Sequence, residues 1–238
     1  MIAPRAGCYA VYEPPEEGWQ NWQEQIGLIA QELQTLGLDV ILAPEAVKDL
    51  ESMERVAAWF VGQDIDLLVV LVASWSFDHY TVEIQQKTGV PLIIRAVPGI
   101  RSGSIVGAQQ LNSLLHDLEI PHRLYYGVIG DMETARQMVC FAQACGIKRR
   151  LQGARMAVIG RRTEGMTPTA VDEIEILRFF GIRLIHLGLD ELLEMAERVD
   201  EDEARFTWQR MVSGAAKVLS RTEHGLSSAR NYLACKQV

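Results

Sequence analysis

Apolar residues change their spacing along this chain, and each change marks an element. Short apolar runs at residues 7–12, 39–43, 66–72, 90–96 and 123–129 predict five strands. Between the first two, Trp19, Trp22, Ile26, Ile29, Ala30, Leu33 and Leu36 recur at helical spacing until Gly37 stops the run, which predicts an amphipathic helix over residues 19–36. The same spacing predicts helices over residues 50–61, up to Thr88, over 105–118 and over 132–152. The third strand, DLLVVLV, has no polar alternation, as expected of a strand covered on both faces in a parallel sheet. Strands alternating with helices predict right-handed crossovers and an α/β, doubly wound parallel sheet of Rossmann or flavodoxin type.

A second unit starts near Gly153. Residues 153–171 read GARMAVIGRRTEGMTPTAV: a short strand at 156–159, a stop at Gly160, and a charged loop ending at Gly165-Met166. Thr167 reads as an N-cap with Pro168 at the first helical position, opening a helix to about Phe180. A strand at residues 183–187 and charge-rich helical segments follow. The expected division is an amino-terminal α/β domain at residues 1–152 and a second α/β unit at residues 153–238. Two strands make a marginal sheet by themselves, so the second unit is expected to be incomplete. Residues 227–238 read as a helix still in progress, which points to a longer protein.

The formal charge of −8, with no long basic run, argues against nucleic-acid or anionic-membrane partners. No window has the roughly 18 apolar residues needed to cross a bilayer. Cys8, Cys140, Cys145 and Cys235 form no CxxC pair, so the expectation is a reduced, cytoplasmic protein whose cysteines are small core residues. The five histidines are isolated, and HExxH, GxSxG, Walker and GxGxxG patterns are missing, so the sequence offers sites for binding without an evident catalytic engine.

Binding candidates sit in loops at the carboxyl ends of strands, where open α/β sheets hold ligands. Trp75, between Ser74 and Ser76, is suited either to stack on the CH face of a sugar or to cap the sheet edge. Ser102, in the Gly/Ser-rich turn at residues 98–104, belongs either to an anion- or hydroxyl-binding turn or to an ordinary one. Glu164, beside Arg161 and Arg162, either lines a pocket or is solvated. Met166, following Gly165, could project a soft apolar side chain into a pocket or across a subunit boundary.

Three stretches together, GRRTEGMTPTAVD at residues 160–172, SGSIVGAQQL at 102–111 and PHRLYYGVIGD at 121–131, resemble the amino-terminal half of the L-fucose and L-arabinose isomerase family. The resemblance implies an aldose–ketose isomerase acting on a monosaccharide, usually a trimer or hexamer. A divalent metal, commonly manganese, would polarise the sugar's C1 and C2 oxygens while carboxylates move a proton through an ene-diol. It also implies that the metal ligands lie in a carboxyl-terminal half outside this chain, so no catalytic or metal-binding residue is assigned here. Gly165 and Met166 match the family's Gly-Met turn, and Trp75 the tryptophan that lies against the sugar. The loop at residues 13–17, EPPEE, has neither the fucose-type arginine-rich stretch nor the arabinose-type glutamine turn, which leaves the sugar open. The competing reading is a non-catalytic sugar-binding or assembly module.

Overall fold

Every residue of the DLLVVLV run from Leu67 to Val72 is buried, and a parallel sheet is built outward from it. The computed structural model describes residues 3–99 and 103–238, which form two compact units, Met1–Arg150 and Leu151–Val238.

The first unit runs β1 (Arg5–Val11), α1 (Trp22–Thr35), β2 (Asp39–Leu42), α2 (Leu50–Val61), β3 (Leu67–Val72), α3 (Asp78–Thr88), β4 (Leu92–Ala96), α4 (Ser104–Asp117), β5 (His122–Tyr126) and α5 (Met132–Leu151). Its five strands are all parallel in the order β2-β1-β3-β4-β5, the doubly wound arrangement expected from the sequence. Side chains of β3 alternate between two cores. Leu68, Val70 and Val72 pack with Met53, Phe60 and Leu115, whereas Leu67, Val69 and Leu71 pack with Ile29, Leu33 and Met138. Helices α2, α3 and α4 therefore cover one face, and α1 and α5 the other.

Several boundaries differ from the sequence reading for local reasons. Helix α1 begins at Trp22, because Trp19 is engaged elsewhere: it stacks on Tyr12 at 4.2 Å between ring centres, and its indole N–H donates to the Glu16 carbonyl. Strand β4 begins after Pro91, which has no N–H to offer a ladder. Strand β5 ends at Tyr126, and beyond it the Val128 carbonyl accepts from the Arg95 guanidinium.

The second unit runs β6 (Arg155–Ile159), a single 3-10 turn (Thr167–Thr169), α6 (Glu173–Phe180), β7 (Arg183–Leu187), α7 (Leu189–Glu197), α8 (Glu201–Val212) and α9 (Thr222–Cys235). Strands β6 and β7 form a two-stranded parallel sheet. The continuous helix expected from Pro168 is absent: Ala170 is extended at φ −68°, ψ 135°, and α6 starts only after Asp172. The Asp172 carboxylate accepts from the amides of Ile174 and Glu175 at 2.9 and 3.1 Å, so it is the cap rather than a residue of the helix. Helix α9 ends at Cys235, where the Lys236 amide donates to the carbonyls of Tyr232 and Leu233. Among the described residues no helix is long and apolar enough to cross a membrane.

Candidate ligand site at the sheet edge

Strand order in the first unit reverses between β1 and β3, so the loops that follow these strands diverge and leave a crevice at the carboxyl edge. The roots of the two loops are tied together. The Ala73 amide donates to the Val11 carbonyl at 2.9 Å, and the Glu13 amide donates to the Ser74 hydroxyl at 3.1 Å. That hydroxyl, on a fully buried side chain, donates in turn to the Trp75 carbonyl at 3.0 Å. Ser74 is thus a joint between the two walls of the crevice.

Trp75 is fixed from behind by α4. A Cβ on Gly103 would lie 2.7 Å from the Trp75 Cβ, and one on Gly107 would lie 3.2 Å from its Cα, so glycine permits the close approach. The half-buried indole donates its N–H to Gln110 Oε1 at 3.0 Å, and Gln110 Nε2 donates to Asp78 Oδ2 at 2.9 Å. Phe77 meets the indole edge to face at 5.1 Å and is itself exposed, with Tyr80 and His79 continuing the aromatic cluster. The only donor of the indole is thereby engaged.

The wall contributed by β1 carries a group that pattern reading overlooked. One carboxylate oxygen of Glu13 is buried and accepts no hydrogen bond. Burial, and secondarily the charge of Glu16, push the Glu13 carboxyl above the usual carboxylate range. Tyr80, also buried, has its phenol pushed up by burial and by the charges of Glu13 and Asp49. Asp49 behaves oppositely: hydrogen bonds from Ser52 in the capping box of α2 hold its carboxyl low. The only sequence signal for Glu13 was its place as the first charged residue after a strand.

A second cleft, of about 240 Å³, lies at the same edge and is lined by Asn21, Gln25 and Leu28 of the α1 side and Val97, Pro98 and Val128. Behind it Arg95 is 1% exposed and donates to the carbonyls of Ala96 at 2.8 Å and Val128 at 2.9 Å. Burial holds this guanidinium below its ordinary value, and the charges of Glu32 and Asp131 offset part of that effect. Arg95 therefore pins the loop after β5. At the opposite, amino-terminal edge, Asp66 accepts from the Arg5 amide and from Arg149, a structural ion-pair cluster far from the crevice loops.

Of the residues singled out from sequence, Trp75 belongs to the switch-point crevice, and Ser102 lies outside the described residues. Glu164, Gly165 and Met166 share the loop between β6 and the 3-10 turn in the second unit, where all three are exposed. Gly165 has φ +81°, a conformation that favours glycine, and Met166 is 51% exposed. The cysteines divide: Cys8 and Cys145 are buried, with thiols pushed up by burial to about 12 and about 11, while Cys140 and Cys235 are exposed and are not core residues. Among the described residues no three His, Cys, Asp or Glu side chains are grouped to hold a metal ion. The sequence matches no protein-family model, and no curated protein matches it.

Proposed function

We propose that this chain is the amino-terminal portion of a metal-dependent aldose–ketose isomerase similar to the L-fucose and L-arabinose isomerases. In this reading it supplies subunit contacts and one wall of a monosaccharide pocket in a cytoplasmic homo-oligomer, a trimer or hexamer. The observation that carries the reading is Trp75, an indole oriented by Gln110 at the switch point of a doubly wound sheet. A fixed aromatic plane beside polar groups complements a sugar, whose ring offers a CH face and a rim of hydroxyls. The exposed Gly165-Met166 turn after β6 supports the same reading, because an apolar side chain held out from a tight loop is suited to a pocket or a subunit boundary. The isomerisation itself needs a Lewis acid and proton-moving groups near C1 and C2. The resemblance assigns these to a part of the protein outside this chain, so manganese is assigned to none of its residues.

The test is an isomerase assay on the protein expressed from the whole reading frame that contains this chain, with a panel of aldoses, with and without manganese. Metal-dependent ketose formation is expected, and Trp75→Ala should raise KM roughly tenfold for loss of one stacking contact while leaving the unfolding midpoint nearly unchanged. An unaltered KM removes Trp75 from the pocket. Failure to convert any aldose removes the isomerase reading and leaves the sugar-binding or assembly module.

A further inference from the structure

Helices α8 and α9 leave a groove of about 390 Å³ between them. Phe206, Arg210 and Met211 line it from one face of α8, and Tyr232, Leu233 and Lys236 line it from the end of α9. Phe206 is 61% exposed, and Met211 and Tyr232 are exposed with it, a contiguous apolar strip of the kind that marks an interaction surface. The rim is cationic: the Arg210 guanidinium lies 6.0 Å from the Phe206 ring centre, and the Lys236 ammonium 5.7 Å from that of Tyr232. Neither cation forms an ion pair among the described residues, in a chain whose formal charge is −8. The one carboxylate that lines the groove, Glu203, stands about two turns along α8 from Arg210.

The same unit carries the complement of this groove. Helix α7 buries Leu192 and Ala196 beside Ala234 of α9 and leaves Leu189 and Leu193 exposed. Helical periodicity sets Asp190 and Glu197 on one flank of the Leu189–Leu193 stripe, away from Leu192 and Ala196. Neither acid forms an ion pair among the described residues, and Glu194 between them holds only Arg198, at 3.5 Å on the exposed surface. The nine residues of α7 span about 14 Å, and the strip of α8 from Glu203 to Met211 about 12 Å. Length, apolar content and charge therefore match.

We infer that the groove between α8 and α9 receives α7 of a second copy of this chain, with Leu189 and Leu193 entering beside Phe206, Met211 and Tyr232, and Asp190 and Glu197 meeting Arg210 and Lys236. This is recognition of a helix in a groove, where apolar anchors supply affinity and rim charges fix the orientation. The groove and α7 are different patches of one subunit, so the contact is heterologous, and its repetition closes into a ring where the rotation between copies allows. The inference rests on the homo-oligomer part of the function proposed above, not on its sugar chemistry, and it names the surfaces through which the copies meet.

The experiment is sedimentation velocity on the protein from the whole reading frame, over a concentration series at low salt. Unmodified protein should associate. Reversing the groove, Arg210→Glu with Lys236→Glu, or the helix, Asp190→Lys with Glu197→Lys, should weaken association at least about tenfold. All four changes in one chain should return it to within about threefold of the unmodified value. Leu189→Lys should weaken association with the charges of the groove intact. All five positions are exposed, so circular dichroism and the unfolding midpoint should stay nearly unchanged. If unmodified protein associates and neither reversal alters it, or if the chain with all four changes stays dissociated, α7 does not occupy the groove and the copies meet elsewhere. If unmodified protein is monomeric at every concentration, the groove assignment and the homo-oligomer both fall, while the isomerase assay decides the sugar chemistry separately.

Discussion

The two sheets of this protein are made of similar residues and are stabilised very differently. In β3 all six side chains are buried, and the alternate residues feed two separate cores. In β6 and β7 no side chain is fully buried, and α6, with Ile174, Leu177, Phe179 and Phe180 all exposed, buries none either. Strand propensity is comparable in LLVVLV and RLIHL, so propensity cannot explain the contrast. What differs is the number of layers: a strand gains the roughly 1.5–3 kcal/mol of a buried aliphatic side chain only when another element covers the face it points to. The second unit relies instead on a few joints between helices, chiefly Leu192, Ala196 and Ala234, and the approach of Gly225 to Trp208.

The contrast is sharpest for one substitution made in both sheets. Leu68→Ala, at a fully buried position of β3, should cost about 3 kcal/mol in chemical unfolding. Leu184→Ala, at a half-buried position of β7, should cost about 1 kcal/mol. Equal losses would show that the two sheets are equally well covered in solution. Next in size, Gly225→Ala places a Cβ 2.3–2.6 Å from three Trp208 ring atoms, and overpacking of that joint should cost about 1–3 kcal/mol. In the Trp208→Ala background the same change should be neutral or favourable, a coupling that a double-mutant cycle reads directly. If Gly225→Ala is harmless with Trp208 present, α8 and α9 are not joined there.

A smaller effect tests the first unit at its surface. Asp49→Ala removes the cap of α2 and should cost about 1 kcal/mol. Because hydrogen bonds hold the folded carboxyl of Asp49 below its unfolded value, the unfolded state takes up the proton more readily. The contribution is therefore present above the unfolded carboxylate range and is lost as pH falls through the lowered folded value. Unmodified protein should lose that increment on acidification, whereas Asp49→Asn should show a flatter profile over the same range. The smallest effect belongs to Glu201→Gln on α8, where Glu201 and Arg205 form an exposed pair: under about 0.5 kcal/mol, and vanishing at high salt. A larger, salt-insensitive loss would mean that this face of α8 is covered.

Elements governed by local chemistry were legible in the sequence. Helix α2 and strand β7 have the bounds that periodicity implies, because caps, breakers and apolar spacing all agreed. Helix α6 was misplaced because Thr167-Pro168 imitates a helix start while Asp172, a few residues on, offers the stronger cap. The position of Trp75 at the sheet edge followed from its place after a strand. The tie between the Glu13 amide and Ser74 did not, since the hydroxyl that accepts from it belongs to a residue 61 positions away. Arg95 was hidden for the same reason: within an apolar run, nothing local says which carbonyls will receive a guanidinium 33 residues upstream of one of them.

That separation sets an order of events when the chain is made. Strand β4 leaves the ribosome carrying a cation, and until the Val128 carbonyl follows 33 residues later the guanidinium cannot enter the core without losing its hydration uncompensated. At roughly 5–20 residues per second the delay is about 2–7 s. During it the edge of β4 must stay wet, and the nascent sheet is guarded at its most aggregation-prone stage by a charge whose lost hydration the loop after β5 later replaces with a carbonyl.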